Sequence, residues 1–174
     1  MLRMAALASG RFDEVEGLLA GVTDRRAALL RARAHIARGR YADAEKVLTG
    51  PAASDPAGDE ALELGLLHAY LGRRPQARQT LQRLTDTARA RSAADLMRLG
   101  SAARALGEYK RANDFFRDAN RLAPDDAGVN AAWGELFFEK YDNGEALKSF
   151  QAALKVDEAQ VAEGPSGRSL GART

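Results

Sequence analysis

The side chains able to do chemistry in this 174-residue chain are few: it has two histidines, His35 and His68, and no cysteine. A zinc-like site needs three or four His, Cys or carboxylate donors at tetrahedral reach. No third donor shares a face with either imidazole, so both read as interior histidines and no metal or cofactor is expected. No nucleophile has a base at a recognisable spacing, and no glycine loop follows a strand to cradle a phosphate. The paired acids Asp125 and Asp126 follow Pro124, where they suit the start of a helix. Arg98 and Arg104, near two turns apart on one helix, could clamp a carboxylate. Binding chemistry remains, and no enzyme activity is predicted.

These side chains sit in a repeating frame. Gly39, Gly72 and Gly107 are separated by 33 and 35 residues, and Tyr141 takes the same slot 34 residues later. Five residues past each slot stand Ala44, Ala77, Ala112 and Ala146, and four further on Leu48, Leu81, Phe116 and Phe150. A small residue and a large apolar one thus keep one offset through four copies. Gly10, Phe12, Val15 and Leu19 form a partial N-terminal copy whose first helix is cut short at Met1. A period of this length marks an array of helical hairpins.

The pattern resembles the tetratricopeptide repeat, a two-helix unit of about 34 residues with Trp, Leu-Gly, Tyr, Ala, Phe and Pro at set places. From Ala93 to Asp126, Leu96 fills the first large slot, Leu99 and Gly100 the Leu-Gly pair, Ala112 the small contact, Phe116 the aromatic and Pro124 the stop. In the next copy Trp133, Gly134, Phe137, Ala146 and Phe150 follow, with Glu158 where Pro is usual. Earlier copies keep Leu64, Gly65, Ala77 and Leu81, then Ala44, Leu48 and Pro56, with Arg31 and Ala32 at the Leu-Gly pair. The resemblance implies an all-α solenoid of antiparallel helix hairpins wound as a right-handed superhelix, with about four full repeats plus the partial one.

Helix boundaries are punctuated. Ser92 with Asp95, and Asp142 with Glu145, have the spacing of capping boxes. Gly39, Gly72 and Gly107 suit a left-handed helix end, Pro75 suits a first turn, and Pro56 and Pro124 fall between hairpins. The pattern predicts helices over 24–38, 41–49, 59–71, 75–87, 93–106, 109–122, 126–140 and 143–156. No stretch alternates with the period of a strand. Residues 1–156 then form a single repeat domain, and 157–174 a disordered tail in which proteolysis is expected near Gly164 to Arg168.

At 45% hydrophobic and 29% charged, such a chain can bury a core. The N-terminal apolar run is too brief for a signal peptide and no segment approaches the roughly 18 apolar residues that cross a bilayer, so a cytoplasmic protein without membrane contact is expected. Residues 1–92 hold 15 Lys and Arg against 11 Asp and Glu, and residues 93–174 hold 11 against 13. That mild polarity reads as a solvated face of mixed charge.

In repeats of this kind the first helices line a concave face. The resemblance therefore places a partner-binding groove at Arg26, Arg33, Asp59, Glu63, Leu66, Tyr70, Met97, Arg98, Ser101, Arg104, Glu135 and Phe138. Tyr70, Met97 and Phe138 are apolar side chains on a solvated groove, the kind that anchors a partner segment. Some family members grip a chaperone's C-terminal carboxylate through Lys and Asn pairs; here Leu29 with Arg33, Glu63, and Ala94 with Arg98 hold those places, which argues against that activity. The function implied is a non-catalytic scaffold that binds a peptide or protein segment. Alternatives are a fragment of a larger protein whose repeats position a missing effector domain, or an RNA-binding helical repeat. The second is disfavoured because no aromatic recurs at an exposed slot for base stacking. Leu147, Leu154 and Phe150 leave an uncapped apolar edge on the last hairpin, open to self-association.

Overall fold

The computed structural model describes residues 17–19, 21–22, 24–140 and 142–163. Among them are eight helices and no strand: α1 (Arg25–Ala37), α2 (Tyr41–Ser54), α3 (Asp59–Tyr70), α4 (Arg74–Thr87), α5 (Ala93–Ala105), α6 (Tyr109–Leu122), α7 (Ala127–Glu139) and α8 (Asn143–Glu163). The fold is the all-α helical repeat that the period implies. Gly39, Gly72 and Gly107 have φ of 72°, 72° and 80° with open space around them, so each closes a hairpin in a conformation that a side chain would strain. Asp24 and Asp126 cap α1 and α7 by accepting from the amides of Ala27 and Val129 at 2.7 and 3.0 Å. Ser92 and Asp142 do the same for Asp95 and Glu145, each at 3.2 Å.

The described residues fall into two compact units, one running to Arg89 with Ser101–Glu108 added, the other comprising Ala90–Gly100 and the residues from Tyr109 on. In the first, α1 packs on α2, α2 on α3 and α3 on α4; in the second, α6 packs on α7 and α7 on α8. One contact recurs in three hairpins. A Cβ at Gly65 would stand 2.5 Å from Leu81, one at Gly100 2.7 Å from Phe116, and one at Gly134 2.7 Å from Phe150. The glycine on each first helix is thus the hole that the large residue of the second helix fills. The paired alanines Ala44, Ala77, Ala112 and Ala146 are all buried, and Ala32 is buried at the corresponding slot of the first hairpin.

Two helices outrun their expected ends. Helix α2 continues from 49 through Gly50 and Pro51 to Ser54. Burial of Ala52 holds the extra turn, and the Pro51 carbonyl is satisfied by the Ser54 hydroxyl at 2.9 Å and the Asp55 amide at 3.0 Å. Helix α8 reaches Glu163 instead of 156. Its added residues are mostly Asp, Glu, Ala and Gln, with no Gly or Pro to stop it before Gly164. The tail expected from 157 is therefore helical to 163, and residues 164–174, with the proteolysis site, lie outside the described residues. So do Gly10, Phe12 and Val15 of the partial first copy. Its Leu19 is fully buried in a cluster with Ala27, Leu30 and Ala34. No helix among the described residues is long and apolar enough to cross a membrane.

Candidate partner-binding cleft

Helix α3 carries Glu63, Leu66, Leu67 and Tyr70 at the i, i+3, i+4, i+7 spacing that shares one face. Leu67 turns into the core, Glu63 and Leu66 are half-buried, and Tyr70 is 71% exposed. Because Gly39 reverses the chain between α1 and α2, Ile36 near the end of one helix and Tyr41 at the start of the next reach the same rim. Together these six residues line a cleft of about 350 Å³, within the range of ligand-binding pockets.

Its polar features are few and defined. The Tyr41 hydroxyl donates to that of Tyr70 at 3.2 Å, with ring centroids 5.4 Å apart and planes tilted by 53°. That hydrogen bond holds the Tyr41 proton and raises its phenol above the ordinary value. Arg33 of α1 reaches Glu63 with two nitrogens, Nη2 at 3.2 Å and Nε at 3.3 Å, both onto Oε2.

A second polar cluster lies within the same unit. His68 is buried, and its Nε2 meets Glu45 Oε1 at 3.1 Å while Arg73 Nη1 donates to Glu45 Oε2 at 2.6 Å. Arg73 foremost, and His68 after it, hold the Glu45 carboxyl below the usual range. The cluster ties α2 to α3 and to the turn before α4. His68 Nδ1 is buried without a hydrogen-bond partner.

Of the residues expected in a groove, Glu63, Leu66 and Tyr70 line this cleft, and Arg33 reaches it through Glu63. Arg26 and Asp59 are exposed on α1 and α3 and do not line it. In the second unit Met97 lies half-buried near Gly128, and Arg98 donates to Asp95 at 3.0 Å in its own helix. Glu135 is exposed, and Phe138 is 64% exposed. Ser101 and Arg104, assigned to the first unit, are half-buried. Sequence reasoning missed Ile36, Tyr41 and Leu67 as lining, and Glu45 as the shared partner of His68 and Arg73. One signal was available: Tyr41 stands two residues past a turn glycine, as Tyr109 does after Gly107.

Residues 96–126 match the family model described as tetratricopeptide repeat. In structure the chain is similar to TTC0263, a thermophilic TPR protein of Thermus thermophilus, with a TM-score of 0.69 and 21% identity over 92% of this chain and 91% of that one. It is also similar to a chain of the APC/C hetero-tetramer Cut9–Hcn1, with a TM-score of 0.63 and 19% identity over 90% of this chain and 31% of that one. MamA of AMB-1 is 25% identical over 90% of this chain and 96% of that one, with a TM-score of 0.49. No curated protein matches the sequence significantly.

Proposed function

Because the chain is a tetratricopeptide-repeat protein, we propose that its first unit docks a peptide or protein segment in the cleft between α1, α2 and α3. The repeat family supplies protein–protein interaction scaffolds, and its fold is typically non-catalytic. What supports the cleft as the docking place is one observation: Tyr70 leaves 71% of its surface exposed beside half-buried Leu66 and Glu63. A large aromatic on a concave, mostly apolar surface is the usual anchor of an interface. Selection of binding peptides from a random display library tests the role. Peptides recovered on the parent are expected to lose at least about tenfold in affinity on Tyr70→Ala and on Leu66→Glu. Peptides indifferent to both substitutions would place the docking surface elsewhere.

A second reading is self-association through α8, supported by Leu147 and Leu154, which sit seven residues apart and are 57% and 60% exposed. Light scattering should then report a dimer that Leu154→Glu dissociates; a parent monomer at high concentration would dismiss it.

A further inference from the structure

We infer that the cleft takes a cationic side chain, a lysine or arginine of the docked segment, with its methylenes on Leu66 and Ile36 and its charge on Tyr41, Tyr70 and Glu63. This rests on the docking role proposed above and adds the chemistry of the residue that is read. Four observations carry it. The only formally charged side chain among the six that line the cleft is a carboxylate, Glu63. Two tyrosine rings border the same space, and aromatic faces attract cations through their quadrupole. The aliphatic walls beside them suit the long stem of a basic side chain, which buries its carbons and leaves its charge at the polar end.

The fourth observation is a precedent inside the chain. Tyr109 occupies the same repeat slot as Tyr41, two residues beyond its turn glycine. Over its ring, 3.3 Å from the centroid, lies the ammonium of Lys140, which follows α7, the first helix of the next hairpin. In the first unit the corresponding tyrosine borders a cleft instead. Glu63 is also only loosely engaged from within: the Arg33 contacts, at 3.2 and 3.3 Å, are longer than the 2.7 Å that Arg25 makes to Glu60, and both end on Oε2. Charge-assisted pairs of full strength lie at about 2.7–2.9 Å. A guest cation can therefore share the carboxylate, with Arg33 as its competitor.

Capped alanine pentapeptides with a central lysine, norleucine or glutamate are the probes, titrated into isotopically labelled full chain by NMR. The lysine peptide should shift the amides of Tyr41, Glu63, Leu66 and Tyr70 and bind at least about threefold tighter than its neutral norleucine analogue. Glu63→Gln should abolish that margin and Arg33→Gln should widen it. Tyr70→Phe, which keeps the ring, should preserve it, and Tyr70→Leu should reduce it. Equal binding of lysine and norleucine would overturn the cationic reading and leave an apolar docking cleft. Preference for glutamate, weakened by Arg33→Gln, would overturn it in favour of an acidic segment. If no peptide moves these amides, the inference and the docking role fall together.

Discussion

The two units share one repeat but join their helices differently. In the first, ion pairs cross between helices. Arg25 of α1 clasps Glu60 of α3 at 2.7 and 3.2 Å and also reaches Asp55 at 2.8 Å, while Arg33 holds Glu63, and Glu45 holds Arg73 and His68. In the second, neutral hydrogen bonds cross between helices as well. The Asn120 amide donates to Asn130 at 2.9 Å, Asn130 donates to the Pro124 carbonyl at 2.9 Å, and the Trp133 indole donates to Asn113 at 2.9 Å. The ion pairs Arg98–Asp95, Arg117–Asp114, Arg121–Asp118 and Lys148–Glu145 run three residues along a single helix. The apolar slots make the hairpins equivalent, and the polar links make them distinct. Ionic links with half-exposed partners respond to salt and pH, whereas neutral amide links such as those of Asn130 carry no charge for either to act on.

The comparison breaks most readily at Asn130, which is 3% exposed. Asn130→Ala removes two hydrogen bonds and leaves the Asn120 amide and the Pro124 carbonyl short of a partner, which should cost about 2–3 kcal/mol in urea unfolding at low and at high salt alike. Arg25→Gln strips the counter-charge from Glu60, whose side chain is 6% exposed. Because the guanidinium itself is half in solvent, the loss should be about 1–2 kcal/mol and shrink in molar salt. A loss that ignores salt would erase the distinction between the units. Glu45→Gln sharpens it through pH. The carboxyl is held low in the folded state, so its stabilisation is complete above the ordinary carboxylate range and disappears as pH falls through the folded value. The parent's urea midpoint should therefore fall more steeply on acidification than that of the variant. The smallest effect belongs to Lys148→Ala, whose exposed pair with Glu145 lies within one helix. Its melting temperature should match the parent's within error.

Much of this was legible along the chain. The turn glycines, the Asp and Ser caps and the glycine-to-aromatic offsets are local or depend on one hairpin, so spacing alone located them. The grouping of Glu63, Leu66 and Tyr70 came from the resemblance, which places the first helix of each repeat along a groove. Less legible were the links that need a crossing geometry. His68 read as interior, yet nothing in the spacing selects Glu45, 23 residues earlier, as its partner. Tyr41 read as a helix start, and only its approach to Tyr70 makes it a wall of the cleft. The extension of α2 through Pro51 was hidden because proline normally ends a helix, whereas here the burial of Ala52 holds the following turn.

The order of residues by itself determined a run of two-helix units, where each hairpin turns, and which slots hold small and large side chains. Those are properties of a repeat read at one offset, set by backbone preference and side-chain volume. Only the tertiary structure decided which polar groups meet across helices, Arg25 with Glu60 in the first unit and Asn120 with Asn130 in the second, and that two tyrosines and a glutamate from separate hairpins share one cleft. Such contacts depend on the ångström-scale approach of helices far apart in sequence, a distance that no periodicity encodes.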